Sequence, residues 1–233
     1  MKVGIMQPYF FPYLGYWQLL NAVDQYVIYD DVNYIKNGWI NRNNILLNGK
    51  KFLITLPLEG ASPFLPINQI KITSNEKQKQ KILKTIDSAY RSAPYFDAVY
   101  PIVETVIMCP SLSIAEALTL QFQRVASYLG INTEFIISSA LNKDSSLKGQ
   151  DKVIHICNKL GATKYYNAIG GQELYSKDVF LQHHIELSFL KMNDINYRQF
   201  KHEFVPSLSI IDVMMFNSPE NIHSMLDNYE LIS

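Results

Sequence analysis

The chain has 233 residues, 48% hydrophobic and 18% charged, enough apolar material for a substantial core and too much for a disordered chain. Lysine plus arginine and aspartate plus glutamate both total 21, so the formal charge is zero. That argues against a nucleic-acid interface or a polybasic membrane patch and favours self-association into a homo-oligomer.

Val3 to Met6 is a short apolar run suited to a buried strand. Gln7-Pro8 ends it, because proline has no N–H for a central ladder and pushes its predecessor to extended geometry. Tyr9 to Tyr13 form an aromatic loop, with Pro12 suited to a first helical turn. Leu14, Trp17, Leu19, Leu20 and Val23 recur at helical spacing, and Tyr26 to Tyr29 read as a second strand that stops at Asp30-Asp31. Strand, loop, helix and strand make a βαβ unit, and such sheets bind ligands at the carboxyl ends of their strands. Those ends are Gln7 to Tyr13 and Asp30 to Tyr34.

Asn37-Gly38 marks a turn, and a hairpin begins at Trp39, with Asn48-Gly49 as its tip. The segment from Glu59 to Asn68 reads as a loop beside the site. Three helices are expected next: one over Asn75 to Tyr90 with Lys79 on its solvent face, one from Pro94 broken at Pro101, and one capped by Ser113 or Ser111 and ended by Gly130. They form a helical insert over about 75–130. The α/β rhythm then returns: a strand over Thr133 to Ile137, a helix over Gly149 to Leu160, a strand at Lys164 to Asn167 leading to Gly170-Gly171, a short helix after Ser176, and a strand from Ile185 to Phe189. Tyr197 to Phe200 reads as extended, and helices over Leu208 to Phe216 and Pro219 to Leu226 close the chain. The expected whole is a single α/β domain, 1–233, built on a parallel sheet with a β-hairpin. No apolar run reaches the roughly 18 residues of a membrane span, and no secretory leader pattern is seen, so a cytoplasmic location is expected. Cys109 and Cys157 read as buried free thiols.

Several side chains at these strand ends can carry chemistry. Asp31 is a candidate general base or ribose ligand, with a turn cap as the plain alternative for one of Asp30 and Asp31, since neighbouring strand residues face opposite ways. Arg42, and more weakly Lys36, could pair with a diphosphate, and Trp39 could stack on a sugar or base or pack as a strand residue. The amides of Gly170 and Gly171 could approach a phosphate or simply turn into the next helix. Asp212 lies among Ile210, Ile211, Val213 and Met214 and needs a partner if buried, unless it belongs to an N-cap box. His155 and His183 are candidate bases, His155 being equally a core residue. The five histidines, at 155, 183, 184, 202 and 223, form no His-x-x-x-His pair, so no metal site is expected. Cys157 would need exposure to act as a nucleophile.

Met6-Gln-Pro-Tyr-Phe-Phe-Pro-Tyr-Leu-Gly-Tyr16, Asp30-Asp31, Trp39-Ile-Asn-Arg-Asn43 and Ser209-Ile-Ile-Asp212 together resemble the WbqC-like family over essentially the whole chain. The likeness puts Gln7, Tyr9, Pro12, Gly15, Tyr16, Asp31, Trp39, Asn41, Arg42 and Asp212 in the family's motif positions. It implies a place in the biosynthesis of bacterial O-antigen, the outer part of lipopolysaccharide, or other surface polysaccharide, beside enzymes that make nucleotide-linked amino sugars. Pro12-Tyr-Leu-Gly-Tyr-Trp17 also resembles the His-x-Gly-His region of nucleotidyltransferases, implying a Rossmann-like, nucleotidyltransferase-like sheet, with Tyr13 and Tyr16 in place of both histidines. Tyrosine, with a pKa near 10, cannot serve a departing pyrophosphate as an imidazolium does. The expected function is acyl or aminoacyl transfer to the amine of a nucleotide-linked sugar, without a cofactor of its own. Alternatives are a non-catalytic nucleotide-sugar-binding or scaffold module and a true nucleotidyltransferase. Pathway enzymes or a carrier protein are the expected macromolecular partners.

Overall fold

The computed structural model describes residues 1–110, 113–201 and 203–232; Ser111 and His202 lie outside them. The six-stranded sheet is built from β1 (Lys2–Met6), β2 (Gln25–Ile28), β7 (Glu134–Ile137), β8 (Lys164–Ala168), β9 (Glu186–Met192) and β10 (Tyr229–Ile232), in the order β10-β9-β8-β1-β2-β7. All pairs are parallel except β9 with β10. From β1 the chain moves to β2 and β7 on one side, then returns to β8 and β9 on the other, so the order reverses between β1 and β8. That reversal sends the crossover helices to opposite faces. Helix α1 (Leu14–Asn21) packs with Tyr26 and Ile28 on one face, and α5 (Gly149–Leu160) packs with Val3, Ile5 and Val27 on the other.

Among the described residues four further strands lie outside this sheet. Strands β3 (Arg42–Leu47) and β4 (Lys50–Thr55) form the expected hairpin, starting three residues later than Trp39. Its tip, Asn48 (φ 52°) and Gly49 (φ 72°), has the two left-handed residues that suit a right-twisted hairpin. The expected loop is closed at its base by a small ladder of β5 (Leu58–Glu59) and β6 (Lys71–Ile72), and its end runs into a 3-10 turn at Ile67–Gln69. Helices α2 (Glu76–Tyr90), α3 (Phe96–Ile107) and α4 (Ile114–Leu129) follow.

Helix α4 belongs to the sheet layers: Phe122 stacks on Tyr16 at 5.7 Å and approaches Tyr26 at 6.1 Å. Pro101 does not break α3. It stands inside the helix, where the missing N–H costs one bond that the surrounding burial of Val99, Val103 and Val106 outweighs. Lys79 is buried rather than solvated, its Nζ donating to the Cys109 carbonyl at 3.2 Å. Ser113 occupies the N-cap position of α4, but its hydroxyl reaches the Asn68 carbonyl at 3.4 Å instead of capping.

Late in the chain come α6 (Lys177–Gln182), α7 (Ile210–Phe216) and α8 (Pro219–Leu226). The described residues of 193–201 and 203–209 form no helix or strand, with Phe200 (φ 45°) and Ser207 (φ 58°) left-handed, so Tyr197 to Phe200 are not a strand. Strand β10 is not foreseen from the sequence, because four residues with no clear alternation leave little periodic signal. No described helix is long and apolar enough to cross a membrane.

Candidate functional site

Past the carboxyl end of β1, the chain makes a loop held by its backbone. The Phe10 N–H donates to the Trp39 carbonyl at 2.9 Å. Asn43 Nδ2 donates to the Phe10 and Phe11 carbonyls at 3.0 and 2.9 Å, and Ser209 Oγ donates to the Phe11 carbonyl at 2.7 Å. Gln121 of α4, with no exposed surface, accepts from the Phe11 N–H at 2.7 Å and donates to the Tyr9 carbonyl at 2.9 Å. Trp17 Nε1 and the Ile210 N–H both donate to the Pro12 carbonyl, at 3.2 and 3.0 Å. Phe11 has φ 41°, a conformation uncommon for an aromatic residue and costing about 1–3 kcal/mol. It persists because the groups around it are bonded from four separate segments.

The opening loop and the residue-39–43 turn therefore meet, and a groove opens where they do. One part, about 280 Å³, is lined by Tyr9, Pro12, Tyr13, Trp39, Asn43 and Ser207. A larger part, about 540 Å³, is bounded by Tyr13, Asp194, Tyr197, Phe204 and Ser207 and reaches Met192 at the end of β9. Tyr13 and Ser207 border both, so the Tyr13 ring is the partition. That ring lies over Gly15, where an added Cβ would stand 2.6 Å from Tyr13 Cε2. Gly15→Ala is expected to swing the ring away with little loss of stability, since Tyr13 is 36% exposed. Weakened groove binding with an unchanged melting temperature would show this; unaltered binding would mean that the partition does not matter.

Asp212 is fully buried behind the larger part of the groove. Its Oδ1 accepts from the Tyr90 hydroxyl at 2.8 Å, and its Oδ2 accepts from the Tyr197 hydroxyl at 2.7 Å and from Gln199 Nε2 at 2.7 Å. Burial pushes its carboxyl above the usual range, partly offset by these three donors. Burial and the adjacent carboxylate push the Tyr197 phenol far upward as well. Tyr197 lines the groove, so it links the buried acid to whatever occupies the cavity. Ser209, one turn earlier, caps α7 by accepting from the Ile211 N–H at 3.2 Å.

The profile of the WbqC-like protein family matches residues 7–224. The chain belongs to this family. It is also similar to the uncharacterized protein Rv1507c of Mycobacterium tuberculosis, with 25% identity over 221 residues, covering 93% of each chain. No solved structure matches.

Of the WbqC-like motif residues, Tyr9, Pro12 and Trp39 line the groove, together with Tyr13 beside them, while others build its frame. Tyr16 is core, its hydroxyl donating to the Gln7 carbonyl at 2.7 Å. Asn41 is buried and links the Tyr34 hydroxyl to the Leu56 carbonyl. Arg42 does not reach into the groove: Nε donates to the Gly38 carbonyl at 3.0 Å and Nη2 to the Asn37 carbonyl, so the guanidinium ties its own turn together.

Asp31 sits on the α5 face, away from the groove. Burial raises its pKa, but Ser138 Oγ and the Lys143 and Lys152 ammoniums outweigh that and hold it below the usual range, which makes it a weak base. Asp30 faces the other way, accepting from Ser139 N–H and Oγ at 2.9 and 2.6 Å. His155 Nε2 accepts from the Asp144 N–H at 3.4 Å, and His183 is exposed just past α6; neither lines the groove. Gly170 and Gly171 lie in a 3-10 turn after β8, where a Cβ on Gly171 would stand 2.5 Å from Asn167 Nδ2. Cys157 is buried and its thiol is pushed up to about 12. Among the described residues no group of three or more His, Cys, Asp or Glu is placed to hold a metal.

Proposed function

We propose that this chain acts in bacterial surface-polysaccharide biosynthesis as a single α/β domain with a nucleotidyltransferase-like sheet, transferring an acyl or aminoacyl group to the amine of a nucleotide-linked sugar. The observation that carries the reading is the aromatic groove backed by the Tyr197–Asp212 pair. Tyr9, Tyr13 and Trp39 offer apolar faces with polar tips, which suit a sugar ring. In the transfer the amine nitrogen bonds to the acyl carbon and the donor's leaving group departs with the bonding pair. The proton that the nitrogen sheds passes to the Tyr197 oxygen as the Tyr197 O–H proton moves to Asp212. Asp212, with its raised pKa, suits this task better than Asp31, whose pKa is lowered.

Uridine- or thymidine-diphosphate amino sugars are expected to raise the melting temperature, as any ligand of the native state does, and to be acylated by an activated acyl donor. Tyr197→Phe keeps the ring and removes the proton path, so turnover should fall about 10²–10³-fold with the thermal shift retained. Full turnover in Tyr197→Phe would remove the relay; absence of any shift would remove the substrate.

A second reading is a nucleotide-sugar-binding module without catalysis. It is favoured by tyrosine at both positions of the His-x-Gly-His likeness. It predicts the thermal shift with no turnover for any donor.

A further inference from the structure

The carboxyl ends of β2 and β7 carry a charged cluster that the groove does not use. Lys143 Nζ and Lys152 Nζ each lie 3.0 Å from Asp31 Oδ2, with lysine side chains only 5% and 10% exposed. Lys143 also donates to the Ser138 carbonyl. Lys152 donates to the Asp31 carbonyl at 3.2 Å and lies 5.0 Å from the centre of the Tyr29 ring. Ser138 Oγ donates to Asp31 Oδ1 at 2.6 Å.

Two ammoniums share one carboxylate, which leaves one unmatched positive charge where water hardly reaches. An unmatched buried charge is costly. Among the described residues the other groups that the two ammoniums meet, two carbonyls and an aromatic face, carry no formal charge. The nearby Asp144 is turned to its own loop, accepting from Ser146 N–H and Oγ at 2.8 and 2.6 Å. Lys152 also rises from the first turns of α5, whose N-terminal dipole adds charge of the same sign. The cluster stands at the carboxyl edge of a parallel sheet, where ligands of such sheets bind.

We propose that Lys143 and Lys152 form an anion subsite for a phosphate-bearing ligand, with Asp31, held by the Ser138 hydroxyl, as the internal counter-ion that keeps the two ammoniums in place. Ammoniums bind phosphates as point charges, and a polyvalent anion gains more from the pair than a monovalent one. The subsite is independent of what fills the groove.

The test is calorimetric titration of the full chain with inorganic pyrophosphate and inorganic phosphate at fixed ionic strength. Saturable binding is expected, tighter for pyrophosphate. Lys143→Met should weaken it roughly tenfold, the worth of one charge-assisted bond. Asp31→Asn should tighten it by a similar factor, because the competing carboxylate is gone. If Lys143→Met does not fold, Asp31→Asn decides alone. No saturable binding, or no tightening in Asp31→Asn, would mean a self-contained ion triad and would overturn the proposal. So would loss of pyrophosphate binding in Tyr13→Ala, which would put the anion in the groove.

Discussion

Asp212→Ala is expected to lower the stability of the fold by about 3–5 kcal/mol, the range for breaking a buried polar network. The carboxylate accepts from Tyr90, Tyr197 and Gln199. Those three donors come from helix α2 and from the irregular segment before α7. The Tyr90 oxygen in turn accepts from the Leu46 N–H of β3 at 2.8 Å, and Gln199 accepts from the Val205 N–H at 2.7 Å. Removing the carboxylate strands two hydroxyls and an amide and unties the hairpin from the groove wall. For a chain of this size the melting temperature should fall by roughly 10 °C. Chemical denaturation and calorimetry check it, and a loss under about 1 kcal/mol would show that the network is not what joins these segments.

Asp212→Asn separates charge from shape. The Asp212 carboxyl is raised in the fold, so between its unfolded and folded values the native state binds the proton more readily. Wild-type stability from this group therefore falls as pH rises through that interval. The carboxamide variant does not titrate there and has no such fall, so any advantage of the wild type over Asp212→Asn should narrow as pH rises. Asp31 works in the opposite direction. Its folded pKa is lowered, so its contribution is present above the ordinary carboxylate range and is lost as pH falls through the folded value.

Asp212 shows what a sequence discloses about such a site. A carboxylate among Ile210, Ile211, Val213 and Met214 announces that it needs partners, but Tyr90 lies 122 residues away along the chain, and no local pattern points to it. The βαβ opening, the Asn48-Gly49 tip and the glycine stop at Gly130 were legible, because each rests on backbone chemistry within a few residues. The meeting of Tyr9, Tyr13 and Trp39 was legible as two polar, aromatic loops at one sheet edge. Arg42 misled because its polar neighbours fit a ligand site and a self-bonded turn equally. Lys79 misled because a lysine on a helix reads as solvent-facing, yet it finds a buried acceptor.

Gln121 carried a signal that went unread. It stands on the buried stripe of α4, three residues after Leu118 and beside Phe122, and a carboxamide in such a stripe is there to bond something. What it bonds is the backbone on both sides of Phe10. Gln121→Met keeps the bulk and removes both bonds, leaving the Phe11 N–H and the Tyr9 carbonyl unmatched, at a cost of about 2–4 kcal/mol. The strain at Phe11 then loses one of its restraints, so Tyr9 and Tyr13 should shift and groove binding should weaken beyond what global stability explains. Gln121→Glu refines the test: the ionised carboxylate of that variant still accepts from Phe11 but offers the Tyr9 carbonyl only repulsion, whereas its protonated form can donate to it. Stability and binding in Gln121→Glu should therefore recover as pH falls, with Gln121→Met unchanged over the same range. Wild-type stability in Gln121→Met, with intact groove binding, would mean that Asn43 and Ser209 hold the loop without help from α4.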